Sequence, residues 1–212
     1  LLDEKEACVL VIGLTGNIGS GKTTVCQFLA DKGCLCLNAD VLGRQVSEPG
    51  GEAYAELRQD FDAEYFDEAG NLLRPKLAEL VFNNAAELAR LNAIIHPAVL
   101  RCLQREILAA QAEEPQRVIV VEAALLVEAN YLPILDQLWL VWADDQVRLH
   151  RVMERDKVDS KQAQARMNNQ LPQTEKAKYA RYIVHNNKGR AELQQELEAV
   201  WQQFWQEMEQ ED

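Results

Sequence analysis

The segment Gly16-Asn17-Ile18-Gly19-Ser20-Gly21-Lys22-Thr23 constrains this chain more than any other. It matches G-x-x-x-x-G-K-[ST] without a substitution, directly after the apolar run Cys8–Leu14 and before a helical pattern over Thr23–Ala30. A strand, a glycine-rich turn and a helix in that order make a phosphate cradle. Small residues let successive backbone N–H groups curl round phosphate oxygens, and the helix N-terminus adds a favourable dipole. Lys22 is expected to neutralise β- and γ-phosphates, and the Thr23 hydroxyl to ligate the Mg2+ that bridges them. The expected nucleotide-binding residues are therefore Gly16, Asn17, Ile18, Gly19, Ser20, Gly21, Lys22, Thr23 and Thr24.

A cradle of this kind is carried by a parallel sheet. Continuous apolar runs at Cys34–Leu37, Val118–Val121 and Leu138–Trp142, with a weaker one at Tyr182–His185, read as strands covered on both faces. Helical periodicity follows each, which predicts a doubly wound α/β domain. Between the second and third runs, about residues 41–116, only helices are expected: Tyr54–Phe61, Pro75–Phe82, Glu87–Ile95 and Ala98–Gln111, the last entered through Pro97. Residues 144–175 are helical and polar, with Asp159-x-x-Gln162 resembling a capping box. A final helix, about Arg190–Gln206, places Leu193, Leu197, Trp201 and Trp205 on one stripe expected to face the core.

Length and charge narrow the function. The 212 residues suit one domain with an insertion or two, and 48% hydrophobic with 26% charged residues excludes disorder. Lys and Arg number 22 against 34 Asp and Glu, a net charge of −12. That balance argues against general nucleic-acid binding, which needs a basic face. No apolar run reaches the roughly 20 residues of a membrane span. The start, Leu1-Leu2-Asp3-Glu4-Lys5-Glu6, is acidic where a secretory signal is basic. The five cysteines (Cys8, Cys26, Cys34, Cys36, Cys102) sit mostly in apolar runs and read as buried reduced thiols, pointing to the cytoplasm.

Several polar residues are candidates for chemistry. Asp40 directly follows the second strand; it could accept or orient an attacking hydroxyl, or cap a helix starting at Val41. Arg44, four residues on, could pair with Asp40, bind an acceptor's phosphate, or simply be solvated. Glu122 ends the third strand, where a carboxylate can hold a metal-bound water; a plain strand-end acid is the alternative. Glu128, after Leu125-Leu126-Val127, is a weaker candidate. Arg148, Arg151 and Arg155 share one helical stripe, either a solvated charged face or a lid that brings arginines to a transferring phosphoryl group. His96 lies at a helix junction before Pro97, a capping or a functional position.

With these residues in view, the chain resembles the dephospho-CoA kinases from about Val11 to Asn187. The marks are Gly13-Leu14-Thr15-Gly16-x-Ile18-Gly19-Ser20-Gly21-Lys22, Asn38-Ala39-Asp40-x-x-x-Arg44-Gln45-Val46, Leu91-Asn92-Ala93-Ile94-Ile95-His96-Pro97, Leu125-Leu126-Val127-Glu128, Arg151-x-x-x-Arg155-Asp156 and Ile183-Val184-His185-Asn186-Asn187. The resemblance implies a P-loop NTPase-type three-layer α/β/α core (about 8–40, 117–143 and 182–207), a helical acceptor-binding insertion (about 41–116) and a helical lid (about 144–175). It implies transfer of the ATP γ-phosphoryl group to the ribose 3′-hydroxyl of dephospho-CoA, with Asp40 as base or hydroxyl-orienting group. Arg44 and His96 would line the acceptor site, Arg151 and Arg155 would stabilise phosphoryl charge, and Asn186 would lie near the adenine. ATP and dephospho-CoA are the implied partners, without nucleic acid or membrane, for a monomer or weak homo-oligomer.

The chain departs from the family where Asp-x-Pro-Leu-Leu is common: it has Glu122-Ala123-Ala124-Leu125-Leu126, a loop less rigid for want of the proline. Arg181 and His185 stand where acids are common. Two other functions compete: a P-loop kinase for a nucleotide or sugar, and a non-catalytic nucleotide switch. A GTPase would show Asn-Lys-x-Asp, whereas Asn187-Lys188-Gly189-Arg190 lacks the acid.

Overall fold

Five strands, β1 (Val11–Thr15), β2 (Leu35–Asn38), β3 (Ile119–Glu122), β4 (Gln137–Trp142) and β5 (Tyr182–His185), form one sheet in the order β2-β3-β1-β4-β5. The computed structural model describes residues 10–211, so Cys8 and the acidic start of the chain lie outside the described residues. Pairing is parallel where β1 meets β3 and β4 and where β4 meets β5, with Val11 opposite Ile119 and Ile12 opposite Gln137. Every residue of β1 and β3 is buried, as their unbroken apolar character requires. This is the P-loop type of α/β fold expected from the sequence.

Among the described residues, those before Asn38 and from Glu114 onward form one compact unit around the sheet; Asn38–Glu113 form a second. In the first, Ile12, Leu14, Val120, Trp139, Val141 and Val184 pack with Val25, Phe28 and Leu29 of α1 (Lys22–Asp31) and with α9 (Arg190–Glu211). On the opposite side Leu135 closes over Gly13, where a Cβ would collide with it and press on Leu138 and Leu126. Helix α1 stops at Gly33, which takes φ +95° while the Cys34 and Gly33 amides donate to Leu29 and Ala30 carbonyls, the bonding of a Schellman cap. Helices α6 (Asp145–Asp156), α7 (Ser160–Asn168) and α8 (Gln173–Ala177) follow β4, and the expected capping box is present, Asp159 and Gln162 each accepting the other's amide.

The core stripe of α9 differs from expectation. Leu193, Leu197 and Phe204 are buried, whereas Trp205 is 42% exposed. A four-residue step overshoots a helical turn by about 40°, so Trp205 has drifted about 120° from Leu193, while Phe204 returns to within about 20°. Phe204→Ala is accordingly expected to cost about 3–5 kcal/mol of stability, and Trp205→Ala about 1 kcal/mol or less, as measured by urea unfolding.

The second unit is helical: α2 (Ala39–Val46), α3 (Tyr54–Asp60), α4 (Arg74–Asn83) and α5 (Ala85–Glu113). The two helices expected on either side of Pro97 are one continuous helix, a correction to the sequence reading. Proline removes one amide donor, but the buried series Ile94, Ala98, Cys102 with Val99, Leu103, Ile107 keeps helical spacing straight through it, and Pro97 itself is on the exposed side. Burial of that stripe outweighs one lost hydrogen bond.

Candidate active site

The loop Gly16–Gly21 owes its shape to what its carbonyls bind. The Gly16 carbonyl accepts from Lys22 Nζ at 2.8 Å, and the Asn17 carbonyl from the Ser20 amide at 3.0 Å. Ile18 O accepts from Arg148 Nη1 at 3.3 Å, Gly19 O from Arg151 Nη1 at 3.4 Å, and Ser20 O from Asn186 Nδ2 at 2.7 Å. These bonds hold the loop's carbonyls, while the Ser20 amide goes to Asn17 and the Ile18 amide to Gln170 Oε1 at 2.8 Å, so an anion in the cradle falls to the other loop amides. Gly21 caps α1 at φ +94°, and a Cβ there would run into Asn186 Nδ2, so both conformation and space demand glycine.

Thr23, in the first turn of α1, donates its hydroxyl proton to Glu122 Oε1 at 3.4 Å. Glu122 ends β3, beside β1 in the register Leu14 to Glu122, and is buried. A hydroxyl that donates to a carboxylate keeps its own lone pairs for a cation, and the donor set is all oxygen. These two residues therefore suit magnesium, which takes few protein ligands and completes its shell with phosphate and water.

The arginine stripe of α6 divides into three roles. Arg148 is buried, donating to the Ala143 and Ile18 carbonyls and pairing with Asp145 at 2.7 Å. It braces the loop. Arg151 reaches both Gly19 O and Asn186 Oδ1, each at 3.4 Å, and so stands against the cradle. Arg155 does not: its side chain is 62% exposed and bound to Asp156 at 2.7 Å, which raises its pKa.

Asn186, just past β5, is buried between Ser20 and Arg151. It lines a cavity of about 440 Å³ with Gly21, Thr24, Arg151, Lys188 and Arg190, directly beside the first turn of α1. Lys188 and Arg190 escaped the sequence reading, although two cations just beyond the carboxyl end of a strand lie where parallel sheets bind ligands. The described cysteines are free; Cys26, Cys34 and Cys102 are buried, and burial pushes the Cys34 thiol up to about 12.

In the helical unit, Asn38 is the cap of α2, its Oδ1 accepting from the Val41 amide at 2.9 Å. The capping role considered for Asp40 thus falls to Asn38, and Asp40 is an exposed residue of the first turn. Arg44 lies one turn on and makes no ion pair with Asp40. At the other end of α2, Arg74 donates to the Arg44 carbonyl and the Ser47 hydroxyl, covering the helix's carbonyl end. His96 is half-buried in α5, and burial lowers its pKa, which favours the neutral imidazole. Among the described residues no helix is long and apolar enough to cross a membrane.

Comparison with known proteins gives the family. Residues 10–192 match the family model described as dephospho-CoA kinase. The dephospho-CoA kinase of Moorella thermoacetica is 34% identical over 92% of either chain, and that of Leptospira interrogans 37% identical over 90% of this chain and 91% of its own. Among solved structures, TT1252 from Thermus thermophilus superposes with a TM-score of 0.77 at 33% identity, covering 92% of this chain and 98% of that one. The chain belongs to the dephospho-CoA kinase family.

Proposed function

We propose that this chain transfers the γ-phosphoryl group of ATP to the ribose 3′-hydroxyl of dephospho-CoA, giving coenzyme A and ADP. The observation that carries this is the family match across residues 10–192, in a chain whose phosphate cradle retains every required residue. Lys22 and the loop amides hold the β- and γ-phosphates, and the nucleoside lies in the cavity lined by Thr24, Asn186, Lys188 and Arg190. Thr23 and, through water, Glu122 hold the Mg2+, which when bound screens phosphate charge as the γ-group leaves.

The acceptor falls to the helical region of about residues 41–116, with Arg44 and His96 lining its site. Asp40 receives or orients the 3′-hydroxyl proton; its place just past the carboxyl end of β2, on a turn already capped by Asn38, leaves its carboxylate oxygens for that task. Residues 144–175 act as a lid. Arg151, already against the loop, stabilises charge on the transferring group, and Arg155 joins it only by exchanging Asp156 for phosphate. The −12 chain has to concentrate its cations locally, as two polyanionic substrates demand. The enzyme works in the cytoplasm as a monomer or weak homo-oligomer.

Coupled ADP release, measured with dephospho-CoA, adenosine, nucleoside monophosphates and gluconate in turn, tests the assignment. Turnover is expected with dephospho-CoA above all others; turnover with another acceptor and none with dephospho-CoA would overturn it.

A further inference from the structure

Lys176, on α8, is fully buried, which an ammonium tolerates only when its hydrogen bonds are satisfied. Its Nζ donates to the Ala124 carbonyl at 2.6 Å and pairs with Glu128 Oε1 at 2.8 Å. Burial lowers its pKa against the opposing pull of Glu128. Both partners lie in the loop that follows Glu122. The same Ala124 carbonyl accepts the hydroxyl of Thr15, the last residue before the phosphate loop, at 3.3 Å. The same Glu128 oxygen accepts the Leu171 amide at 3.0 Å.

From Leu171 the connections return to the phosphate loop. Its carbonyl accepts Asn17 Nδ2 at 2.9 Å, and the neighbouring Gln170 Oε1 accepts the Ile18 amide at 2.8 Å. Thr15, Ala124, Lys176, Glu128, Leu171 and Asn17 form a chain of five polar contacts, closed into a ring by the backbone through Gly16. It ties three segments together: the phosphate loop, the loop after the metal-side carboxylate, and the stretch joining α7 to α8. A salt bridge serving stability alone has no reason to terminate on these groups, and a buried one is a poor source of stability.

We propose that Lys176 and Gln170 are positioning residues for phosphoryl transfer, latching the α6–α8 segment and the loop after Glu122 to the phosphate loop. Lys176 sets the Ala124 carbonyl, and with it the path of the chain leaving Glu122. Gln170 holds the apex of the phosphate loop at Ile18. Neither touches a reacting atom; both keep Arg151, Thr23 and Glu122 in one mutual geometry. The latch rests on the kinase function proposed above.

Three variants test it: Gln170→Ala, Lys176→Met, and Lys176→Met combined with Glu128→Leu. The double variant replaces the buried pair by apolar groups, and is expected to recover the melting temperature that Lys176→Met alone loses. It is not expected to recover turnover: kcat should stay about 10- to 100-fold below wild type, with ADP affinity changed by less than about threefold. Gln170→Ala, which removes no buried charge, should lower kcat by about tenfold with an unchanged melting temperature. Hydrogen exchange over residues 15–22 and 122–126, measured without substrates, should accelerate in Gln170→Ala and in the double variant. Recovery of kcat together with melting temperature in the double variant would overturn the latch, as would a Gln170→Ala enzyme within about twofold of wild type. Exchange reads the latch without turnover, and wild-type turnover of dephospho-CoA reads the kinase function, so the two fail separately.

Discussion

Asp40→Asn is expected to lower kcat by about 10²- to 10⁴-fold while leaving the dissociation constant for ATP unchanged. Asparagine matches aspartate in size and keeps one acceptor oxygen, but it cannot take a proton and carries no charge to orient the hydroxyl. The substitution is clean because Asn38, not Asp40, holds the start of α2 through the Val41 amide, so the helix keeps its cap. The measurements are steady-state kinetics with both substrates varied and calorimetric titration of an ATP analogue. A kcat within about tenfold of wild type would confine Asp40 to orientation at most, since loose phosphoryl-transfer transition states need little proton removal early on. Weakened ATP binding with normal kcat would move Asp40 out of the acceptor's role altogether.

Lys22→Met should be at least as damaging, and in a different pattern. Lys22 Nζ bonds the Gly16 carbonyl at 2.8 Å, so its ammonium closes the loop on itself. Methionine keeps the aliphatic stem and removes the charge. Losing one preorganised cation from a site built for developing negative charge costs about 10²–10³ in kcat, and here the loop also loses a brace. KM for ATP is therefore expected to rise together with the fall in kcat, in contrast to Asp40→Asn. Isothermal titration with ADP separates the two effects. An enzyme with normal kcat and raised KM would mean that Lys22 binds ground and transition states equally.

The sequence made some of this legible and concealed the rest for identifiable reasons. The phosphate loop was readable because its positions answer local demands: Gly21 for a left-handed turn against Asn186, and Lys22 and Thr23 for the charge and hydroxyl that the motif expects at its end. Strand positions were readable because residues buried on both faces leave no polar alternation. Periodicity put Arg148, Arg151 and Arg155 on one stripe, yet three positions of helix separate a buried brace from a group at the loop surface. Periodicity specifies a face, not the depth of a side chain or the carbonyl it meets. Lys176 and Gln170 lie in polar helical sequence with no pattern of their own, and their partners sit 52 and 152 positions away. Pro97 misled because a local rule for helix starts was set against a long apolar stripe that overrides it.

The strand order has a consequence in time. β1 is the middle strand of the sheet and is made before either neighbour, for Val11 finds its partner in Ile119 and Ile12 in Gln137. At cellular elongation rates the central strand waits on the order of 10 s for a neighbour. The intervening Asn38–Glu113 segment is helical and closes short loops, so it can organise meanwhile. A nascent chain halted at Glu113 carries the whole glycine-rich loop and has no sheet to hold it. The ability to bind nucleotide thus waits on strands made well after the residues that confer it.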